Sequence, residues 1–180
     1  MLMNFQQMII DLTGMDISNA SLLDESTAAA EAMMMAFKIK KSSKFTFCIQ
    51  NTCHPQTLSV LKTRAKPLGI KIIFDKPNED TFGCLIQNPD TYGEIADLDK
   101  LIQHNKQKEI LSIISADIMS LVIMKSPRKF GADIVIGSSQ RFGVPMGLGG
   151  PHAAFFATLD EYKRMMPGRL IGVSVDRTNK

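Results

Sequence analysis

Apolar residues recur along this chain with two periods, and the alternation between them predicts the elements. Leu2, Phe5, Met8, Ile9 and Leu12 fall at three- and four-residue steps, which predicts an amphipathic helix over 3–12 closed by Thr13-Gly14. Met15 to Leu23 is short and mixed. Asp24-Glu-Ser-Thr27 then supplies capping side chains ahead of Ala28 to Lys41, whose alanines and methionines favour helix. The small residues at its head permit close packing and leave backbone N–H groups free for an anion such as phosphate. Phe45 to Ile49 reads as a strand, and His54-Pro55 opens a helix running to Leu68, ended by Gly69.

Ile70 to Phe74 is predicted as strand, Asp75 to Thr81 as loop, Cys84 to Gln87 as strand and Asn88 to Gly93 as turn. A helix is expected over Ile95 to His104 and a buried strand over Ile110 to Ile114. Ile118 to Met124 fits strand and short helix equally. Lys125 to Gly131 reads as loop and Asp133 to Ile136 as strand. Next comes a stretch from Gly137 to His152 with five glycines and two prolines and no regular period, followed by the apolar run Ala153 to Ala157. Such a segment is a loop whose backbone must approach something closely. Asp160 to Met166 is expected as helix and Arg169 to Val175 as strand.

Strands alternating with helices at this spacing predict a doubly wound α/β fold with a mostly parallel sheet, in which ligands bind at the carboxyl ends of the strands. His54, Asp117 and the Gly137 loop would then share one edge. The chain has 180 residues, 44% apolar and 22% charged, which suits a single globular domain over 1–180. The first and last elements read as cut through, so a fragment of a longer polypeptide is expected.

Charge and composition exclude several classes. The net charge is +3, and the one basic cluster, Lys38, Lys40, Lys41 and Lys44, falls where a helix should end and no aromatic residues interleave it, so no nucleic-acid partner is expected. No run is long enough to span a bilayer, and the start lacks the basic region of a signal peptide, so no membrane partner is expected. Cys48, Cys53 and Cys84 are too few and too irregular for a disulfide framework, which favours a reducing compartment. Cys48-x4-Cys53 is not zinc-ligand spacing, and no metal is expected.

Known loop motifs do not fit the glycine-rich stretch. Gly147-Leu-Gly149-Gly150-Pro-His152 lacks the third glycine of a dinucleotide fingerprint, and no Lys-Ser/Thr follows to make a Walker A loop. Gly137-Ser-Ser139-Gln-Arg141 places arginine where a nucleophile elbow needs a small residue, and Ser126-Pro-Arg-Lys129 matches S-x-x-K by letters alone. Asp117 has two readings: a carboxylate that caps the next segment or pairs with a cation, or one that keeps a pyridine nitrogen protonated. His54 either caps its helix or stacks on such a ring.

Longer segments carry a resemblance. Asn19-Ala-Ser-Leu-Leu-Asp-Glu25, Thr27-Ala-Ala-Ala-Glu-Ala-Met33, Cys53-His-Pro-Gln-Thr57, Asn88-Pro-Asp-Thr-Tyr-Gly93, Phe130-Gly-Ala-Asp-Ile134, Gly137-Ser-Ser-Gln-Arg-Phe-Gly-Val-Pro145, Gly149-Gly-Pro-His-Ala-Ala-Phe-Phe-Ala157 and Arg164-Met-Met-Pro-Gly-Arg169 resemble the N-terminal half, or subunit 1, of the glycine decarboxylase P-proteins of the glycine cleavage system. The resemblance runs nearly end to end. It implies the large domain of a fold type I, aspartate aminotransferase-like enzyme dependent on pyridoxal phosphate (PLP). Such an enzyme decarboxylates glycine and passes the aminomethyl group to the lipoyl arm of the H-protein. Bacterial members are cytoplasmic and eukaryotic ones mitochondrial, and a cytoplasmic home is favoured here.

The resemblance also assigns roles. The lysine that holds PLP lies in the family's C-terminal half, in a His-Lys-Thr-Phe segment, and laying that segment on Ser139 to Phe142 puts Gln140 at the lysine position. A glutamine amide is not a nucleophilic amine. By the same comparison His54 matches the ring-stacking histidine, Asp117 the ring-nitrogen aspartate, and Ser26-Thr27 the phosphate-binding Ser-Gly. Glu25-Ser26-Thr27 carries serine where family members more often carry glycine. The expectation is a degenerate pocket of Ser26, Thr27, His54 and Asp117 with no catalytic residue of its own, PLP being bound by the other half. Arg141, Gly149, Gly150, Pro151 and His152 would form a loop toward the partner's active site. The implied partners are the C-terminal half or subunit 2, the lipoylated H-protein, and glycine as substrate of the complex. The alternative is a non-catalytic module that supports the catalytic half and H-protein docking.

Overall fold

Strands that are apolar on both faces need cover on both sides, and the chain meets that demand with helices packed on the two faces of one sheet. The computed structural model describes residues 1–40, 44–175 and 177–178. The elements are α1 (Leu2–Thr13), β1 (Ile17–Ser18), α2 (Glu25–Ile39), β2 (Thr46–Ile49), α3 (Pro55–Ala65), β3 (Lys71–Phe74), β4 (Thr81–Asn88), α4 (Leu98–Gln107), β5 (Leu111–Ala116), α5 (Pro127–Phe130), β6 (Ile134–Ser138) and β7 (Ala154–Thr158). They build a seven-stranded sheet in the order β1-β7-β6-β5-β4-β2-β3. From β3 to β6 every pairing is parallel, and β7 runs antiparallel to both β6 and β1. The mostly parallel, doubly wound sheet predicted from the sequence is the one observed.

The side-chain period of two sorts the core into two layers. On one face Phe47, Leu85, Ile113, Ile136 and Phe156 pack with Ala29, Ala32, Met33 and Ala36 of α2 and with Leu61 of α3. On the other, Cys48, Cys84, Ile86, Ile114, Val135 and Phe155 pack with Ile9 of α1 and Leu98 and Ile102 of α4. α2 starts where its cap predicts, with the Asp24 carboxylate accepting the Thr27 N–H at 2.7 Å. Its expected end at Lys41 lies outside the described residues. At the centre of the sheet Gly137 is the residue that lets layers meet: a Cβ there would stand 2.2 Å from the Ala116 carbonyl oxygen and 2.7 Å from the Phe155 ring.

Several boundaries differ from expectation. β4 extends to Thr81 and Asn88, because parallel neighbours recruit polar residues that alone show no strand period. α4 begins at Leu98 instead of Ile95, since Asp97 accepts the Lys100 N–H and so fixes the start. Ile118 to Met124 resolves as a 3₁₀ turn over Ser120–Val122, and the expected loop at Lys125 to Gly131 holds one helical turn, α5. The helix expected over Asp160 to Met166 is a single 3₁₀ turn, Asp160–Tyr162, before Pro167. No strand forms over Arg169 to Val175. The backbone there is engaged otherwise: Gln6 accepts the Ile171 N–H at 2.9 Å and donates to its carbonyl at 3.0 Å, while β1 already occupies the edge beside β7.

Gly137→Ala is expected to destabilise the fold by roughly 3 kcal/mol, because neither the carbonyl nor the ring can yield without moving a strand. Urea titration with an unchanged m-value checks it; a loss under about 0.5 kcal/mol would contradict the close approach.

Candidate functional site

The carboxyl ends of β2, β4, β5 and β6 share one edge of the sheet with the N-terminus of α2, and two adjoining hollows of about 280 and 400 Å³ open there. The first is lined by Glu25, His54, Gln87, Asp117, Gln140 and Arg141, and the second by Asp24, Ser26, Thr57, Gln140 and His152 among others. Ser26, His54, Asp117, Gln140, Arg141 and His152, scattered over more than a hundred residues of sequence, are therefore brought together. Thr27 contributes its N–H to the cap of α2, and Gly149, Gly150 and Pro151 lie in the loop above.

Several of these side chains are already engaged by the chain itself. Asp117 accepts the Met119 N–H at 3.0 Å and stands 3.6 Å from the Arg141 guanidinium. Thus the capping and the cation-pairing readings of Asp117 both hold. His54 makes no side-chain cap to α3; its Nδ1 meets the Thr91 hydroxyl at 3.0 Å across the edge. Ser26 shares a hydrogen bond with Thr57 at 3.2 Å. The N–H groups expected to be free at the head of α2 include that of Thr27, which Asp24 occupies.

Beneath this layer lies a polar network that sequence reasoning missed. Glu25 accepts from the Ser115 hydroxyl at 2.5 Å and from the Gln87 amide at 3.2 Å, and the Cys53 thiol points to Gln87 Oε1 at 3.9 Å. The available signal was a polar residue near the carboxyl end of an otherwise apolar strand, Gln87 in β4 and Ser115 in β5. Burial, and then the nearby Glu25 charge, pushes the Cys53 thiol up to about 12.

Gln140 sits in the middle of the floor. Its amide nitrogen is buried without a hydrogen-bond partner, and a Cβ on Gly150 would come within 2.8 Å of it. The loop thus folds over Gln140 by virtue of Gly150, whose φ of 68° also favours glycine. Beyond it Leu148, at φ 51° and fully exposed, forms the loop tip with Met146.

The sheet order and the antiparallel β7 give the chain the α/β fold seen in fold type I PLP-dependent enzymes. A putative O-acetylhomoserine (thiol)-lyase from Campylobacter jejuni shares this fold, with a TM-score of 0.72 at 16% identity over 89% of this chain and 40% of that one. More particularly, the chain belongs to the glycine cleavage system P-protein family, whose model matches residues 1–180. It is 56% identical to glycine dehydrogenase (decarboxylating) 2 of Pseudomonas fluorescens over 97% of its own length, and 54% identical to the mitochondrial glycine dehydrogenase (decarboxylating) of Flaveria trinervia over 99%. The crystal structure of a glycine decarboxylase P-protein in inhibitor-bound form superimposes with a TM-score of 0.92 at 31% identity, covering 99% of this chain and 43% of that one. This chain spans about a fifth of the length of those curated relatives, 19% and 18% respectively.

PLP is the cofactor of the family, and the hollow here does not suit it. Among the described residues no lysine lines either part, and none there offers an amine to hold the aldehyde carbon. Asp24 and Glu25 stand at the head of α2 where a phosphate would have to approach, and like charge opposes it. The Asp117 carboxylate already faces Arg141.

The raised Cys53 thiol has a consequence for stability. The folded chain keeps this proton up to about pH 12, whereas an unfolded thiol releases it near pH 8.5, so stability is full below about pH 8 and is lost progressively between those values. Cys53→Ala is expected to remove that contribution, seen as a shallower fall in urea midpoint from pH 8 to 10; an identical pH profile would contradict it.

Proposed function

We propose that this chain is the cofactor-free α/β unit of a glycine decarboxylase P-protein, paired with the C-terminal half or subunit 2 that binds PLP. The complete enzyme decarboxylates glycine and transfers the aminomethyl group to the lipoylated H-protein. The observation that carries this reading is Gln140, whose amide nitrogen is buried in a hollow lined by no lysine among the described residues; we read it as standing where the family's cofactor-holding lysine would lie. The chain retains the form of the pocket and lacks its anchor.

The edge around the hollow supports a partner seated there. Tyr92 and Ile95 after β4, Ile123 after β5, and Met146 and Leu148 after β6 are all exposed on neighbouring loops of one edge, a concentration of apolar surface that a folded partner would cover. The glycine-rich loop from Gly143 to Pro151 carries two of them outward, which suits a loop completing a neighbour's site. Arg141 is paired with Asp117 while remaining exposed, and His152 and the loop tip are the residues we assign to act across an interface.

Two experiments test this. The 180-residue chain, mixed with PLP and reduced with borohydride, is expected to give only scattered labelling of surface lysines; a stoichiometric adduct at one lysine would overturn the Gln140 argument. In the assembled P-protein, His152→Ala is expected to lower kcat by roughly tenfold or more with the complex intact, about 1.4 kcal/mol of barrier or more. Unchanged turnover with intact assembly would instead favour the purely supporting module.

A further inference from the structure

The helices leave one part of the sheet open. Beside α4, over β2 and β4, lies a mainly apolar groove of about 520 Å³ with Cys84 and Ile86 in its floor, Leu101, His104 and Asn105 along one wall, and the turn after β3 at its end. Cys84 stands directly opposite Cys48 in the parallel register of β2 and β4, and both side chains belong to the same face of the sheet. Residues paired this way have Cα atoms about 5 Å apart, inside the range a disulfide bridges. Both thiols are free, Cys48 wholly covered and Cys84 reaching the groove.

We propose that Cys48 and Cys84 form an oxidisable dithiol, entered from the groove beside α4, which a peroxide converts into an intrachain disulfide joining β2 to β4. Each sulfur shifts the other: the neighbouring Cys84 holds the Cys48 thiol below its ordinary range, while Cys48 and burial push Cys84 well above it. Once Cys48, the more acidic of the two, has given its proton to water, transfer of the Cys84 proton to the Cys48 thiolate puts the anion on Cys84, the sulfur an oxidant meets first. The Cys84 sulfur attacks one peroxide oxygen; an S–O bond forms, the O–O bond breaks, and the departing hydroxide takes a proton and leaves as water. Cys48 sulfur then attacks the sulfenic sulfur, the S–O bond breaks, and a second water leaves. Two thiols and one hydrogen peroxide give one disulfide and two waters. Cys53 offers an internal contrast, since it has no cysteine opposite it and its proton is held by burial.

The folded 180-residue chain, treated with an equivalent of hydrogen peroxide and then blocked with N-ethylmaleimide, is expected to fall from three titratable thiols to one. A Cys48–Cys84 linked peptide should appear in a non-reducing digest and vanish with dithiothreitol. Phenylarsine oxide, which bridges two adjacent thiols, should bind the Cys53→Ser variant in a one-to-one ratio and fail to bind Cys48→Ser. An unchanged thiol count, a link through Cys53, or Cys84 sulfinic acid with Cys48 still free would each overturn the proposal. The wild-type digest decides it even where a variant does not fold.

Discussion

Everything in this molecule depends on a parallel sheet that must be dry on both faces. A parallel strand here carries apolar side chains up and down, as in Leu111 to Ala116, where every residue is buried. Water is excluded from both sides by helices on the two faces, and the parallel connections bring the carboxyl ends of β2, β4, β5 and β6 to one edge. The polar residues the core cannot accept are thereby gathered at that edge. His54, Gln87, Asp117 and Gln140 meet because the sheet has no other place for them.

The hollow so formed is occupied by the chain's own chemistry. A carboxylate such as Glu25, partly withdrawn from water at a helix head, must find donors, and Ser115 and Gln87 supply them from two neighbouring strands. Asp24 holds the Thr27 N–H, and Arg141 faces Asp117. These contacts stabilise the edge and remove the free donors and free carboxylate that a phosphorylated pyridine would need. Family likeness and local chemistry are compatible: this unit keeps the shape of the fold while its own side chains engage the polar groups of the hollow.

The open strip over β2 and β4 has the same origin. α4 covers the middle of its face and α1 the side near β7, while the sheet runs on to β3 without a further helix on that side. The strip brings Cys84, with Cys48 covered beside it, to the floor of a groove that a third helix would have sealed.

Much of this was legible in the residues. The amphipathic period of α1, the capping box-like head of α2, the proline opening α3 and the apolar runs of β5 and β6 are local signals, set by neighbours three or four positions away, and they survive into the fold with ends shifted by a few residues. The glutamine at 140 is equally local, since its chemistry is legible wherever it lies. What only the tertiary structure decided are relations between distant segments. The two-residue β1 exists because β7, about 140 positions later, offers an edge; Arg169 to Val175 is no strand because Gln6 takes its backbone. The Asp117–Arg141 contact, the Glu25 network and the opposition of Cys48 to Cys84 depend on strand order and register. These follow from burying two faces of one sheet at once, a condition on the whole chain that no window of sequence contains.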